Sequence, residues 1–188
     1  MAVSSPGRVV GQADEDLLVL YDIVKGLLMD DLFKKTEGTE AMWLEFSRAR
    51  GVNSDYAVVA FGDSPGMATE LADLVTSGIK RATTCSPHEA ETSPIPPTLG
   101  GYVVLVDGEG SPRCIWQTTE LREGPLSSVD DAFAWDEGEG TRLRDDWLDG
   151  HIAYYRRERG STDTKIDGSF VVIFERFKVV WPETLADG

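Results

Sequence analysis

The sequence predicts an α+β fold with a compact mixed sheet or small barrel, and three observations carry that expectation. Strand-type runs gather in the second half of the 188 residues, helix-type patterns fill the first half, and the two do not alternate as strict β-α-β units. Hydrophobic residues at 41% and aromatics at 9% suffice to bury a substantial core in one domain carrying an appendage. The expected organisation is a tail and helical extension over 1–40, a main domain over 41–182 and a short tail over 183–188.

Periodicity and punctuation justify the elements in turn. The first dozen residues are small and polar and read as a ragged tail. From Asp14 to Asp31, Leu17, Leu18, Tyr21, Val24, Leu27 and Leu28 recur as on an amphipathic helix. A second helix is expected from Thr39, as its cap, with Met42, Trp43 and Phe46 on its apolar side. Tyr56 to Phe61 is a short apolar run, as expected of a buried strand, and it leads into Gly62-Asp63. Ser64 then fits an N-cap and Pro65 the first helical position; Met67, Leu71, Leu74 and Val75 recur at helical spacing before Gly78 stops the helix. Lys80 and Thr83 are expected in the exit loop, and the proline-rich stretch from Ser86 to Pro97 in another.

The second half turns to strands. Tyr102–Val106, the turn Asp107-Gly108-Glu109-Gly110 and Arg113–Leu121 read as a hairpin. Ser127 or Ser128 is the expected cap of a short helix through Val129, Ala132, Phe133 and Ala134, ending near Gly138. Thr141 is the expected cap of a longer helix carrying Leu143, Trp147, Leu148, His151, Tyr154 and Tyr155, and Phe170–Val180 reads as a last strand.

Charge and composition exclude several functions. The net charge of −15 disfavours non-specific nucleic-acid binding, which gains affinity by releasing counterions onto a basic surface. Lys80 and Arg81 can still form a local basic cleft, as can Arg156, Arg157 and Arg159, although the last three equally fit a solvated helix end. No apolar run approaches the roughly 20 residues needed to span a membrane. Met1 to Pro6 lacks the order of a secretion signal, so a cytoplasmic protein is expected. Cys85 and Cys114 have no metal-ligand spacing and are expected as reduced thiols, with a single bridge between them as the alternative. No metal and no cofactor is expected.

Several ordered blocks then resemble the ASCH domain family. They are Phe61–Pro65, Glu70–Val75, Gly78-Ile79-Lys80-Arg81-Ala82-Thr83, Pro112–Glu120, Phe133–Gly140, and Trp147 with His151, Tyr154 and Tyr155. The resemblance covers roughly Trp43 to Val180. It implies a PUA-like fold, a small mixed β-barrel with flanking helices, here with an N-terminal helical extension. Members are linked to RNA binding, to ribonuclease activity and to hydrolysis of cytidine acylated on its exocyclic amine. Those with the last activity use a lysine, a threonine and a glutamate, which the motifs Gly-x-Lys-x-x-Thr and Ala-x-x-Glu place at Lys80, Thr83 and Glu137.

Amide hydrolysis needs a nucleophile, a proton shuttle and stabilisation of an oxyanion, and this trio can supply all three. Glu137 near a helix C-terminus is expected to have a raised pKa suited to a shuttle, and Lys80 beside Arg81 a lowered one. Arg81, Trp135 and Ser64 complete the expected substrate-binding set. Glu120 is expected to pair with Arg122 or Arg113, His151 to be packed or hydrogen-bonded, and His88 to be exposed. Two functions follow: a hydrolase acting on an acylated nucleoside or on RNA, or an RNA-binding module using the same cleft without chemistry. A homodimer through the N-terminal helix is a further expectation.

Overall fold

Thr36, itself extended at φ −121 and ψ 168, opens the helix α1 (Glu37–Arg50) through a capping box. Its hydroxyl accepts from the backbone N–H of Thr39, whose own side chain accepts from the N–H of Thr36. Thr39 is thus the third helical residue and not the cap, because Thr36 offers the same chemistry one turn earlier. The computed structural model describes Met29 and residues 31–158 and 166–188. Apart from Met29 and Asp31, the helix expected over Asp14–Asp31 lies outside the described residues.

β1 (Ala57–Val59) leads to α2 (Pro65–Thr76), where Ser64 accepts from the N–H of Met67 and Pro65 occupies the first turn as expected. The chain next forms a strand, β2 (Ala82–Cys85), where a loop is expected. Four residues are too few to show a period, and their pairing with the last strand decides the outcome. The proline-rich stretch likewise contains a short helix, α3 (Pro87–Thr92). Ser86 and Glu89 form a capping box around Pro87 at the first turn, so proline starts the helix here and does not prevent it.

β3 (Tyr102–Val106) and β4 (Pro112–Pro125) form the expected hairpin. Leu126–Ser128 is a 3-10 turn that absorbs both serines expected as caps, and Asp130 caps α4 (Asp131–Glu137) by accepting from the N–H of Phe133. α5 (Arg144–Glu158) and β5 (Val171–Trp181) complete the fold. Thr141 stands just ahead of α5, with its hydroxyl engaged by Asp146 and by the N–H of Leu143.

The five strands form one mixed sheet in the order β1-β3-β4-β5-β2. β1 runs parallel to β3 and the other pairs are antiparallel. β1 and β2 are the two edges and do not pair with each other, so the sheet is open and the expected barrel is not closed. The crossing from β1 through α2 to β2 therefore carries the chain from one edge to the other, and the residues after α2 land beside β5.

Three clusters fill the space between sheet and helices. α2 contributes Ala72 and Val75 to a cluster with Phe61, Leu105, Trp116 and Phe177. α4 and α5 bring Phe133, Ala134, Trp147 and Tyr155 onto Ala82, Val172 and Phe174. α1 packs Phe46 with Tyr56, Val58 and Ile115, and the Phe46 ring lies 5.3 Å from Tyr102 and 6.2 Å from Trp181.

Phe46 is 2% exposed, so α1 is part of the core. Phe46→Ala should lower the unfolding free energy by about 3–5 kcal/mol. Urea unfolding would show this as a lower midpoint at unchanged slope if α1 and the sheet unfold together.

Candidate functional site

The backbone sets the site before any side chain does. Gly78 ends α2 at φ +84, and the N–H groups of Ile79 and Lys80 both donate to the Leu74 carbonyl, at 2.9 and 3.0 Å. The next peptide is held from both sides: Arg81 N–H donates to Asp136 O at 2.6 Å, and Phe177 N–H donates to Arg81 O at 3.0 Å. Lys80 is thereby fixed between the exit of α2, the end of α4 and β5. Gly138 follows α4 at φ +75, and a Cβ there would stand 2.7 Å from Ile79 Cγ2 and 2.8 Å from its carbonyl oxygen. Only glycine permits so close an approach.

The Lys80 ammonium is buried in this junction, with 1% of its side chain exposed. It donates to Glu139 Oε1 at 2.6 Å and to Glu137 Oε2 at 3.4 Å, and lies 5.0 Å from the centre of the Phe61 ring. Glu137 Oε2 also lies 3.4 Å from His151 Nε2, whose ring stacks on Trp147. His151 Nδ1 sits 3.0 Å from the Trp147 carbonyl. Both of its nitrogens thus face acceptors, an arrangement that only the doubly protonated ring satisfies. Glu137 Oε1 and the Trp147 indole N–H are both enclosed and neither meets strict hydrogen-bond geometry, but the indole N–H stands near enough to Glu137 to help lower its pKa.

Electrostatics reverses two expectations. Burial pushes Lys80 down, but the charges of Glu137 and Glu139 outweigh it and hold the ammonium above its ordinary value. Arg81 does not lower it, because the Arg81 guanidinium is paired with Asp187 at 2.7 Å and donates to the carbonyls of Val75 and Lys80. Burial pushes Glu137 up, yet the charges of Lys80 and His151 overcome this and bring the carboxyl down to about 2. The α4 dipole is the weaker effect beside two cations. Burial lowers His151 while the Glu137 charge raises it, and the net direction is up. The nearer carboxylate is not the stronger partner of Lys80: Glu139 is 33% exposed and screened by water, whereas Glu137 is enclosed.

Thr83 stands in β2 directly opposite Glu175 of β5. Its hydroxyl makes no hydrogen bond to Lys80 or Glu137 among the described residues. Glu175 is buried and accepts through Oε1 from Thr118 Oγ1 at 2.6 Å and from the Trp116 indole N–H at 3.2 Å. Burial outweighs these two bonds and raises its pKa. Trp116 in turn stacks between Phe61 and Phe177, at 5.5 and 4.5 Å.

The other expected site residues are placed as follows. Ser64 is half-buried at the N-terminus of α2 with its hydroxyl in the cap. Trp135 is exposed on α4, with the Arg142 guanidinium stacked on its ring at 3.8 Å. Glu120 pairs with Arg176 at 3.6 Å, since β5 lies across from it, while Arg113 is held by Asp73 and Asp107 and Arg122 by Ser128. His88 is exposed as expected. Lys80 and Glu137 are therefore brought together, and His151 and Glu139 join them. His151 stands four residues after Trp147 on α5, a spacing that sequence reads as packing; its partner Glu137 is distant in sequence and invisible to that pattern.

A family model described as the ASCH domain matches residues 57–181, more than half of the chain. The chain belongs to the ASCH domain family. The fold is similar to the crystal structure of an ASCH domain from Lactobacillus crispatus JV V101, with a TM-score of 0.68 at 23% identity, covering 77% of this chain and 94% of that one. It is also similar to a protein of Enterococcus faecalis V583, with a TM-score of 0.66 at 28% identity, covering 77% of this chain and 88% of that one. No curated protein matches the chain. Placed on the ASCH domain, the Lys80 cluster sits inside the matched span, whereas α1 precedes it. Two surface recesses, of about 320 Å³ beside Phe46 and Tyr102 and about 370 Å³ beside Leu143 and Arg144, are not lined by Lys80, Thr83 or Glu137. Among the described residues, no helix is long and apolar enough to cross a membrane. Cys85 and Cys114 are both free thiols.

Two predictions follow from this geometry. Gly138→Ala should destabilise the fold by about 1–3 kcal/mol through the left-handed backbone and the Ile79 contact. Thermal melts would record the loss, and an unchanged melting temperature would contradict the close approach. The His151 contribution has a definite sign: a raised folded pKa gives stability that is complete below the ordinary value of 6.5 and is lost as pH rises through the folded value. Glu137 behaves oppositely, losing its contribution as pH falls from 4.5 towards about 2. The melting-temperature difference between the wild type and His151→Asn should therefore be largest between pH 4.5 and 6.5 and shrink at alkaline pH.

Proposed function

We propose that this ASCH domain is a hydrolase acting on a nucleoside-type substrate, most directly on the amide of an acylated cytidine. One observation carries the reading: a fully enclosed ammonium at Lys80 held against two carboxylates and backed by a histidine. Burying such charges costs several kcal/mol per ion before pairing, so a hydrophobic replacement would hold the fold as well or better. Perturbed, mutually coupled titratable groups of this kind concentrate where chemistry is done.

The pKa directions support a division of roles. Lys80 stays protonated, so it acts as a fixed cation that polarises the acyl carbonyl and stabilises the oxyanion, not as a base or nucleophile. Glu137 stays ionised; it and Glu139 hold the ammonium in place, and His151 holds Glu137. Thr83, or a water it holds, attacks the acyl carbon while the ionised Glu137 takes its proton and returns it to the departing cytidine amine. Where Thr83 itself attacks, a water then releases the acyl group from it as the free acid. Trp135 offers the ring face not covered by Arg142 for stacking on a base, while Arg81 and Ser64 shape the site through the backbone they fix.

The net charge of −15 supports a substrate without a phosphate chain. RNA bound in the same cleft is the competing reading. It predicts association that weakens steeply with salt, and no association at low salt would exclude it.

Lys80→Met, which keeps an unbranched side chain one atom shorter and removes its charge, should abolish turnover of N4-acetylcytidine. Glu137→Gln should do the same by releasing the ammonium. Near-wild-type rates in both purified, folded variants would overturn the reading.

A further inference from the structure

Opposite Thr83 across the sheet lies a buried carboxyl that the roles above do not use. Glu175 is 5% exposed, and no cation is paired with it among the described residues. Its surroundings are largely uncharged. β2 offers Thr83 opposite it and the Cys85 thiol two residues on; β4 offers Trp116, Thr118 and, in register, Leu121. From the helices, Glu89 of α3 and Glu158 of α5 act on the same Cys85 thiol that Glu175 acts on.

Both known hydrogen bonds to Glu175 end on the same oxygen. The Trp116 indole can only donate, so Oε1 serves as an acceptor, and Oε2 has no hydrogen-bond partner among the described residues and is the oxygen free to meet a ligand.

Resting on the hydrolase reading, we propose that Glu175 belongs to the substrate site as a neutral carboxyl, presenting an O–H donor from Oε2 beside Thr83. The ligand it fits is an uncharged heterocycle with a hydrogen-bond acceptor at its edge, such as a pyrimidine ring nitrogen or ring carbonyl. An ionised carboxylate there would repel that edge, whereas a neutral one binds it. Two features make the assignment coherent. Burial away from any paired cation favours the protonated form of Glu175, and Glu137, with two cations, is driven the opposite way. Two carboxyls in one region with environments that push them apart divide an acid's and an anion's tasks. Trp116, which fixes Oε1, also stacks on Phe61, and the Phe61 ring faces the Lys80 ammonium. Recognition and polarisation are thus joined through one aromatic stack.

The test compares Glu175→Gln with Glu175→Leu on N4-acetylcytidine, reading KM and kcat separately, with cytidine binding measured by calorimetry. Glutamine keeps the acceptor for Thr118 and Trp116 and supplies an N–H donor, so its KM should stay within about threefold of wild type. Leucine should raise KM and weaken cytidine binding roughly three- to tenfold, the worth of one hydrogen bond, at similar kcat. Wild-type affinity should fall as pH rises and Glu175 ionises, while that of Glu175→Gln should not. Equal KM and binding in all three proteins would overturn the inference. So would a collapse of kcat at unchanged KM in Glu175→Gln, which would make Glu175 a proton donor in the reaction. If the wild type binds cytidine without hydrolysing the amide, the hydrolase reading fails and the binding arm still decides the role of Glu175. If it neither binds nor hydrolyses, both fail.

Discussion

The contact between Lys80 and Glu137 joins three parts of the chain that are far apart in sequence: the exit of α2, the end of α4 and, through His151, the middle of α5. Its geometry depends on the backbone clamp around Arg81 and on the absence of a side chain at Gly138. Without the clamp the ammonium has no fixed direction, and with a methyl group at Gly138 the end of α4 stands off. The energetic logic is asymmetric. Each charge is costly to bury alone, so each element that brings one is committed to meeting the element that brings its opposite. The charges are balanced as a set, with two cations in Lys80 and His151 and two anions in Glu137 and Glu139. That balance is what permits the cluster inside a core that is otherwise aromatic.

The two buried glutamates show how environment, and not residue type, sets chemistry. Glu137 and Glu175 are both enclosed, and burial acts on both in the same direction. Two cations decide the outcome at Glu137, whereas Glu175 has only an indole and a hydroxyl, whose dipoles are too weak to overcome desolvation. The sheet enforces the difference. Glu175 points to the face shared by Trp116, Thr118 and Phe177, where no cation is paired with it among the described residues. Glu137 leaves α4 towards α5 and the Lys80 loop, where charge is concentrated.

Much of this was legible in the sequence, and the part that was not has a common cause. α2, with Ser64, Pro65 and Gly78, was readable because its signals are local, and so were the β3–β4 hairpin and the β5 run. Caps were misread where neighbouring residues offer the same chemistry: Thr36 in place of Thr39, and Asp130 in place of the two serines that the 3-10 turn absorbs. β2 is a strand only because β5 lies beside it, and that is tertiary information. The same limit applies to the site. Ordered motifs brought out Lys80 and Glu137, but their protonation states depend on His151 and on the direction in which Arg81 turns, neither of which any spacing encodes. Asp187 is the carboxylate that engages the Arg81 guanidinium.

On the hydrolase reading, the open sheet also bears on how a ligand would reach these groups. A closed barrel would cover β2 on both sides, whereas here it is an edge strand paired only with β5 among the described residues. Edge strands invite unwanted pairing, and a strand of four residues followed at once by a helix limits that hazard. Thr83 lies in this strand, partly accessible, with Glu175 enclosed behind it. A flat, uncharged ring arriving at this edge would meet a hydroxyl first and the aromatic stack behind it. A polyanion would first meet the negative field of the whole chain, while the cations nearest the site are already paired with carboxylates: Lys80 with Glu137 and Glu139, Arg81 with Asp187, Arg176 with Asp136 and Glu120. The same pairing that makes Lys80 a fixed internal cation leaves this edge with little to offer a phosphate.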